Sequence, residues 1–275
     1  MIADSPVFVT GVQRSGTTLL GRIVASHPEA SLTVNGKILY SLLHWFRPTS
    51  PSRCELLHAR IDEVLHALAR KPILGVPDDF LAAIAAPALR GWAHDLAAGR
   101  FGEAGRDVDV DAAVRDALAR VHARWNPEAA FFGDKYNEYM LVLDDVLRVY
   151  PRARFVVMVR SPIEVAESMV RAFAGRPWCP PDVASAVKKW TAWTAEWERV
   201  KRTLAEGQWL EVPFERLTLE PEAALGEVAR FLHVDEGAMR DRASLVDRGA
   251  IARRAATAPL EGVRLDAASL DARGV

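Results

Sequence analysis

The sequence predicts an α/β fold in which a central parallel sheet is covered by helices on both faces and carries a helical insertion. Two observations indicate this class. Short apolar runs, of the kind that form buried parallel strands, are each followed by a segment with helical spacing. The stretch between two such units, from Cys54 to about Arg124, is rich in Ala, Leu, Arg and Asp and contains no convincing strand.

The first predicted unit is a strand, a loop and a helix near the N-terminus. Residues 6–10 are apolar and β-branched, and the run stops at Gly11, as expected of a buried strand. A helix is predicted over residues 17–27, because its apolar residues recur with helical spacing until Pro28 ends the pattern.

The second unit repeats this order in the second half of the chain. Residues 154–160 form a nearly continuous apolar strand, and the next helix is predicted to have Ser161 at its N-cap and Pro162 at its first position. Shorter strands are predicted at 129–133 and 208–213. Because strands and helices alternate, we expect a parallel sheet.

A single domain is predicted over 1–275, with the helical insertion, at about 38–128, forming a cap on the same sheet. Another helix is predicted over about 181–206. It places Trp190, Trp193 and Trp197 on one face. We expect this stripe to pack in the core, and an aromatic wall against a substrate is the alternative.

Composition and charge exclude several function classes. The 275 residues include 35 Lys and Arg against 36 Asp and Glu, so no nucleic-acid partner is expected through bulk charge. No apolar run approaches the roughly 20 residues that span a bilayer, and no secretory signal is recognisable. We therefore expect a cytoplasmic protein without a membrane span. The histidines form no H-x-x-x-H or H-x-H pair and the cysteines no C-x-x-C, so no metal is expected.

The most informative segment is the loop Gly11-Val-Gln-Arg-Ser-Gly-Thr-Thr18, which lies between the first strand and its helix. Backbone N–H groups and the positive end of a helix dipole converge at such a turn, which suits a phosphate or sulfate group. Gly16 lets the backbone fold around the anion, and Ser15, Thr17 and Thr18 supply hydroxyl donors.

The loop has the G-x4-G spacing of a Walker A loop but lacks its lysine, because Thr17 stands at that position. A nucleoside-triphosphate kinase or ATPase is therefore disfavoured. Arg14 is the nearest cation and could clamp a terminal anionic group. A serine hydrolase is also disfavoured, since Gln13 and Thr17 occupy the glycine positions of a nucleophile elbow around Ser15.

The loop, its helix and the His27-Pro28 pair at the end of that helix resemble the 5′-phosphosulfate-binding motif of sulfotransferases that use 3′-phosphoadenosine 5′-phosphosulfate (PAPS). The resemblance is strongest to the bacterial and tyrosylprotein-type branch. Residues 154–168 resemble the family's 3′-phosphate-binding strand and helix, and residues 210–217 are similar to a third family segment. Together the resemblance covers roughly 6–35 and 130–234.

This resemblance implies a P-loop-like three-layer fold and a sulfotransferase. Such an enzyme moves a sulfuryl group from PAPS to a hydroxyl or amine without a metal and releases 3′-phosphoadenosine 5′-phosphate (PAP). The two anionic clusters of PAPS would need two anion sites on neighbouring strand ends. The residues expected to bind PAPS are Arg14, Ser15, Gly16, Thr17, Thr18, Arg160, Ser168 and Phe214.

Three residues are predicted to carry the chemistry. Arg14 and the loop amides would stabilise the leaving phosphate. The resemblance implies a second cation near the sulfate at Lys135, in the segment Gly133-Asp-Lys-Tyr-Asn137. Asp134 is predicted either to orient this lysine or to be merely an acid at a helix start.

The general base is not identified by the sequence. The tyrosylprotein-type branch usually carries a Glu where this chain has Val34-Asn-Gly-Lys37, and the cytosolic branch uses a His at the position of Asn137. One hypothesis is that Asp134, Glu138 or His44 is recruited. The others are an acceptor that needs little help, such as a phenol or an amine, and reduced or lost activity.

The sequence leaves open the identity of the acceptor, the oligomeric state and two alternative functions. The acceptor could be a small molecule, a glycan, a lipid or a peptide, and the sequence does not determine the oligomeric state. The alternatives to a sulfotransferase are a nucleotide-binding protein of the same fold with little or no catalytic activity and a small-molecule kinase.

Overall fold

A five-stranded parallel sheet forms the centre of the residues that the computed structural model describes, 5–45, 53–70, 72–102 and 108–246. The order of the strands is β2-β3-β1-β4-β5, and each neighbouring pair is parallel. The predicted α/β class is therefore confirmed. The strands are β1 (Val7–Thr10), β2 (Ala30–Val34), β3 (Phe131–Lys135), β4 (Arg154–Val159) and β5 (Trp209–Pro213).

Helices cover both faces of this sheet. A π-helix at Phe80–Ala85 runs directly into α4, and short 3₁₀ helices follow β3 and α11 at Asn137–Leu141 and Arg242–Leu245. The α-helices are α1 (Thr17–Ala25), α2 (Ile38–Trp45), α3 (Arg53–Ala69), α4 (Ala86–Ala97), α5 (Val110–Trp125), α6 (Leu143–Val149), α7 (Pro162–Phe173), α8 (Val183–Lys201), α9 (Phe214–Leu219), α10 (Pro221–Leu232) and α11 (Glu236–Asp241).

Side chains of the central strands alternate between two cores, as the two-residue period of a strand requires. Val7 and Val9 pack on one face with side chains of α1 and α10. Phe8 and Phe155 pack on the other face with side chains of α5, α7 and α8. Burial on both faces explains why these strands are nearly continuous apolar runs.

Three of the predicted strands, at 6–10, 154–160 and 208–213, agree with β1, β4 and β5 to within one residue at each end. The strand predicted at 129–133 lies two residues later, because β3 continues through the charged pair at its end. Strand β2 was not predicted from the pattern. It is fully buried, and its polar Ser31 is bonded to the imidazole of His122, with 2.8 Å between Oγ and Nδ1.

The predicted insertion is helical where it is described, apart from one isolated antiparallel bridge between Val34 and Leu74. Its helices share one core with the sheet, and the buried indole of Trp92 donates to the carbonyl of Ala113 at 2.8 Å. The ends of the predicted domain, before residue 5 and after 246, lie outside the described residues, so the single-domain assignment stays a prediction.

The predicted tryptophan stripe lies on α8. Of the tryptophan stripe on α8, Trp197 is fully buried, as predicted, and donates to Glu211 at 2.7 Å. Trp193 is also buried but borders a cavity, so the stripe serves both the core and a wall.

Across the described residues, no helix combines the length and apolar character needed to cross a bilayer.

Candidate functional site

A cavity of about 1140 Å³ lies at the carboxyl ends of β1, β3 and β4, the edge at which open parallel sheets bind ligands. Nowhere in the described residues do three or more His, Cys, Asp or Glu side chains gather as metal ligands. Eight of the ten predicted site residues line the cavity: Arg14, Gly16, Thr17, Thr18, Lys135, Arg160, Ser168 and Phe214.

The loop after β1 opens its backbone towards this cavity. Gly16 is the N-cap of α1 at a φ of 100°, and no side chain caps the helix. The N–H of Leu19 donates to the carbonyl of Gly16, so the N–H groups of Thr17 and Thr18 and the positive dipole end of α1 are the groups available to an anion. A Cβ at Gly16 would lie 2.5 Å from the ring of Phe214, so both the backbone angle and the space require glycine.

Arg14 joins the two predicted anion-binding motifs. Its backbone has a φ of 75°, which is unusual for a residue with a side chain. The Nε of Arg14 donates to the Oγ of Ser168 on α7 at 3.1 Å, and its guanidinium lies 5.7 Å from the ring centroid of Phe173. The loop and α7 therefore meet at this arginine.

The position of the Ser15 side chain differs from the prediction that its hydroxyl binds the anion. Its side chain is buried and does not line the cavity, and its hydroxyl has no hydrogen-bond partner among the described residues. Its backbone N–H donates to the carbonyl of Val12 at 3.1 Å, which tightens the turn. Ser15 therefore shapes the loop from behind, and its hydroxyl is not placed to donate to a ligand on the cavity wall.

Lys135 reaches the loop from the end of β3. It is 2% exposed, and its Nζ donates to Thr18 at 3.1 Å, to Asn137 at 2.9 Å and to Asn35 at 3.4 Å. Burial lowers the pKa of its ammonium to about 8, although the carboxylates of Asp134 and Glu138 oppose this shift. Lys135 therefore lines the cavity beside the N-terminus of α1, and its role as a second cation stays a prediction.

Asp134 lies away from the cavity, which contradicts a direct catalytic role. Its Oδ1 accepts from the Oγ1 of Thr33 at 2.7 Å and from the N–H of Gly36 at 2.9 Å. Its Oδ2 accepts from the N–H of Lys37 at 2.8 Å and from the phenol of Tyr139 at 3.1 Å. Burial raises the pKa of this carboxyl, and the four hydrogen bonds oppose that shift. Asp134 therefore anchors the turn after β2.

Asp134 lies away from the cavity because side chains alternate between the two faces of β3. Asp134 and Lys135 are neighbours in sequence, so their side chains leave the strand on opposite faces. Only Lys135 of this pair faces the loop, and its ammonium donates to Thr18, Asn35 and Asn137. The expectation that Asp134 orients this lysine directly is therefore wrong; the carboxylate acts on it through charge and through the turn that carries Asn35.

The other two candidate bases are placed differently. His44 on α2 is exposed and does not line the cavity. Glu138 lines the cavity three residues after Lys135 and accepts from the Nε2 of Gln13 at 2.9 Å. Of the three carboxylic and imidazole groups considered from the sequence, only Glu138 borders the space where a ligand could bind.

Arg160 and Phe214 pack against each other next to the loop. The guanidinium of Arg160 lies 4.1 Å from the centroid of the Phe214 ring, and its Nε donates to Glu164 at 2.9 Å. Its NH1 reaches the carbonyl of Arg14 at 3.4 Å. Arg160 is thus held at the end of β4, and both Arg160 and Ser168 line the cavity.

Sequence reasoning missed several residues of the site. Asn137, noted only as a missing histidine, donates to the Oγ1 of Thr17 at 3.0 Å and to the carbonyl of Gly11 at 2.7 Å, and so ties the loop to β3. Its position two residues after the predicted lysine was an available signal. Asn35 and Lys189 also line the cavity, and no spacing pattern marked them.

An aromatic wall borders the cavity on the side of α8. The rings of Phe173 and Trp178 pack with centroids 4.5 Å apart. The ammonium of Lys189 lies 5.8 Å from the ring of Trp178 and 5.3 Å from that of Trp193. This combination of flat apolar surface and positive charge suits a planar or aromatic group.

Together, the sheet order and the loop after β1 define an α/β protein of the P-loop-like fold. The chain belongs to the sulfotransferase family. Residues 6–237 match the model of that family, and this range includes all five strands of the sheet.

Two curated animal proteins are similar to this chain. Protein-tyrosine sulfotransferase 1 of Danio rerio is 24% identical over 237 residues, which cover 84% of this chain and 54% of that protein. A relative from Caenorhabditis briggsae that is named for the same activity is 24% identical over 233 residues, 82% of this chain and 64% of that protein. The chain therefore spans less than two thirds of the length of either relative.

Solved structures show the same fold. The sulfotransferase domain of the Synechococcus PCC 7002 olefin synthase has a TM-score of 0.56 and 20% identity, over 97% of this chain and 94% of that one. Sulfotransferase STF9 from Mycobacterium avium has a TM-score of 0.51 and 14% identity, over 92% of this chain and 69% of that one. The likeness at these identities concerns the fold.

Proposed function

We propose that this chain is a PAPS-dependent sulfotransferase, which moves a sulfuryl group from PAPS to a hydroxyl or amine and releases PAP. The observation that carries the proposal is the convergence of two anion-binding groups in one cavity. The loop with Lys135 forms the first group, Arg160 with Ser168 forms the second, and Arg14 contacts both. Membership of the sulfotransferase family supports this proposal.

The donor groups fit the two anionic ends of PAPS. For the 5′-phosphosulfate, the N-terminus of α1, the hydroxyls of Thr17 and Thr18 and the ammonium of Lys135 offer donors and positive charge. For the 3′-phosphate, the guanidinium of Arg160 and the hydroxyl of Ser168 both line the cavity, and Arg14 contacts both residues. The flat ring of Phe214 adjoins both groups.

Sulfuryl transfer resembles phosphoryl transfer, because negative charge grows on the oxygen that leaves with the 5′-phosphate. Fixed donors aimed at that oxygen lower the barrier, and they act most strongly where water is excluded. Lys135 meets both requirements, since it is buried and hydrogen-bonded to Thr18 of the loop. In this proposal Lys135 and the loop amides stabilise the leaving phosphate, with Arg14 beside them.

Among acceptors, we favour a phenol, such as a tyrosine side chain of a peptide. The aromatic wall of Phe173, Trp178 and Trp193 offers flat surfaces next to the loop. Two relatives named as protein-tyrosine sulfotransferases support this choice. A phenol with a pKa of about 10 also loses its proton far more easily than an aliphatic alcohol.

Two further assignments are part of the proposal and rest on the sequence. A cytoplasmic location was expected from composition. A bacterial-type enzyme was expected from the loop motif; the similar curated proteins are animal, and the bacterial structures share the fold. A second candidate function, nucleotide binding without turnover, is favoured by Asn137, which stands where a histidine base would.

Nucleotide binding tests this proposal, with Arg160→Ala as the informative variant. We expect wild-type protein to bind PAP at micromolar levels in isothermal titration, and adenosine 5′-monophosphate more weakly. Loss of one charge-assisted pair, worth about 1.5–3 kcal/mol, should weaken PAP binding by about 10- to 100-fold. Affinity for adenosine 5′-monophosphate should not change, because that ligand has no 3′-phosphate.

Arg90→Ala is the matched control, since Arg90 is an exposed arginine that pairs with Asp62 outside the cavity. It should bind PAP as the wild type does. If wild-type protein showed no PAP binding at micromolar levels, the proposal would be wrong. Tighter binding of ATP with magnesium than of PAP would favour a small-molecule kinase instead.

A further inference from the structure

We infer that the carboxylate of Glu138 is the general base that accepts the proton of the acceptor hydroxyl. This inference rests on the proposed sulfotransferase function and supplies the residue that the sequence did not identify. Glu138 lines the cavity, neighbouring side chains hold it there, and it follows Lys135, the cation proposed to face the sulfuryl group, by three residues.

Three carboxylates line the cavity within the described residues, and only one lies on the side of Lys135. Glu164 pairs with Arg160 at 2.9 Å and so belongs to the proposed 3′-phosphate site. Glu167 is the neighbour of Ser168 on α7, at the same site. Glu138 follows Lys135 by three residues, on the short 3₁₀ helix that continues from β3.

The backbone around Glu138 is fixed to the sheet. The hydroxyl of Thr10, the last residue of β1, donates to the carbonyls of Tyr136 and Asn137 at 3.0 and 3.2 Å. The side chain of Asn137 in turn bonds Lys135 and the loop. The residue before Glu138 is therefore tied directly to the groups that would hold the phosphosulfate.

The side chain of Glu138 is also positioned. It accepts from the Nε2 of Gln13 at 2.9 Å and from the phenol of Tyr136. The Oε1 of Gln13 accepts from the Nζ of Lys189 at 3.2 Å, so the amide of Gln13 cannot rotate freely. A carboxylate has about four acceptor positions, which leaves capacity for the hydroxyl of an acceptor.

The charged and titratable groups that face Glu138 come from three elements. Lys135 lies at the end of β3, Tyr136 follows it, and Lys189 projects from α8. Gln13 of the loop is the neutral contact. Lys189 is also the residue that packs against the aromatic wall, so an acceptor ring on that wall would lie next to the network of Gln13 and Glu138.

The step balances as a single transfer. The acceptor oxygen forms a bond to sulfur while the bond from sulfur to the bridging oxygen of the 5′-phosphate breaks. The electron pair of that bond stays on the phosphate oxygen of PAP, near Lys135. The proton of the acceptor hydroxyl passes to a carboxylate oxygen of Glu138 and then to solvent.

The test is Glu138→Gln, measured with sulfur-labelled PAPS and two phenols. N-acetyltyrosine amide has an ordinary phenol pKa of about 10. 4-Nitrophenol is far more acidic because its nitro group stabilises the phenolate, and it is largely ionised in mildly alkaline buffer. Loss of a general base should lower kcat for the tyrosine amide by about 10²- to 10⁴-fold. The loss for 4-nitrophenol should be less than about tenfold, because an ionised acceptor needs no base.

Glu128→Gln is the matched control, because it makes the same change in an exposed glutamate between α5 and β3 that does not line the cavity. It should transfer sulfate to both phenols at close to the wild-type rate. PAP titration of Glu138→Gln shows whether the variant is folded and binds nucleotide, and we expect wild-type affinity within about threefold. A wild type that failed to bind PAP would refute the sulfotransferase proposal itself.

Two results would overturn the assignment of Glu138 alone. The first is Glu138→Gln protein that binds PAP and sulfates the tyrosine amide at the wild-type rate. The second is an equal loss of rate for the tyrosine amide and 4-nitrophenol, because a purely structural role would not depend on the ionisation of the acceptor.

Discussion

Replacing Lys135 by methionine is expected to lower kcat for sulfuryl transfer by about 10²- to 10³-fold, the loss that follows removal of one preorganised donor to a developing negative charge. Methionine keeps the buried stem, which packs so closely over Gly21 that a Cβ there would lie 2.6 Å from the Cγ of Lys135. The substitution therefore removes the ammonium with little change in packing.

The fold of Lys135→Met should persist. Burial lowers the pKa of Lys135 to about 8, which shows that the charged form is costly at this position. Removing this costly buried charge stabilises the fold, and this gain offsets the loss of the hydrogen bonds from Lys135 to Thr18 and Asn137. Thermal unfolding within a few degrees of the wild type would confirm that the activity loss is chemical.

The pH profile gives the same residue a second signature. Lys135 carries its charge below its pKa, so wild-type kcat/KM should fall as the pH rises through about 8. The variant has no ammonium at this position and should lack that fall. A Lys135→Met enzyme that kept kcat within about threefold of the wild type would show that the lysine is only a structural residue.

Replacing Gly133 by alanine is expected to be the most damaging single change to the fold. Gly133 pairs with Val7 across the central strands β3 and β1, and a Cβ there would lie 1.8 Å from the carbonyl oxygen of Val7. The atoms in the way are backbone, so the two strands would have to separate. We expect a loss of about 3 kcal/mol or more in the free energy of unfolding, measured by denaturant titration.

Gly91→Ala makes the same substitution where there is space. Gly91 lies inside α4, and the nearest atom to a Cβ there is the NH1 of Arg120 at 4.0 Å. Alanine at this position should stabilise the protein by about 0.5–1 kcal/mol. Equal stability of the Gly133→Ala and Gly91→Ala proteins would contradict the close pairing of β1 and β3.

Much of the fold could be predicted because strands buried on both faces are visible as apolar runs. β1, β4 and β5 are of this kind. β2 is not such a run, because Ser31 and Thr33 alternate with its apolar residues, and the partners that bury these hydroxyls, His122 and Asp134, come from distant parts of the chain. A pattern in the local sequence does not contain those partners.

The site was predictable where one short segment carries the chemistry. The loop around Gly16 and the strand end at Arg160 are such segments, and both line the cavity. Adjacency in sequence does not predict the role of Asp134, because Asp134 and Lys135 are neighbours on a strand and face opposite ways. Gln13 and Lys189 could not be linked to Glu138 by sequence, since 125 and 176 positions separate the hydrogen-bonded pairs.

The most direct test is transfer of labelled sulfate from PAPS by the wild-type protein, followed together with release of PAP. The account predicts one PAP for each sulfated molecule of N-acetyltyrosine amide or another phenol, at a rate that Lys135→Met lowers by about 10²-fold or more. The contradicting result is tight PAP binding without transfer above the protein-free rate to any phenol, sugar, lipid or peptide, as expected of a binding protein with this fold.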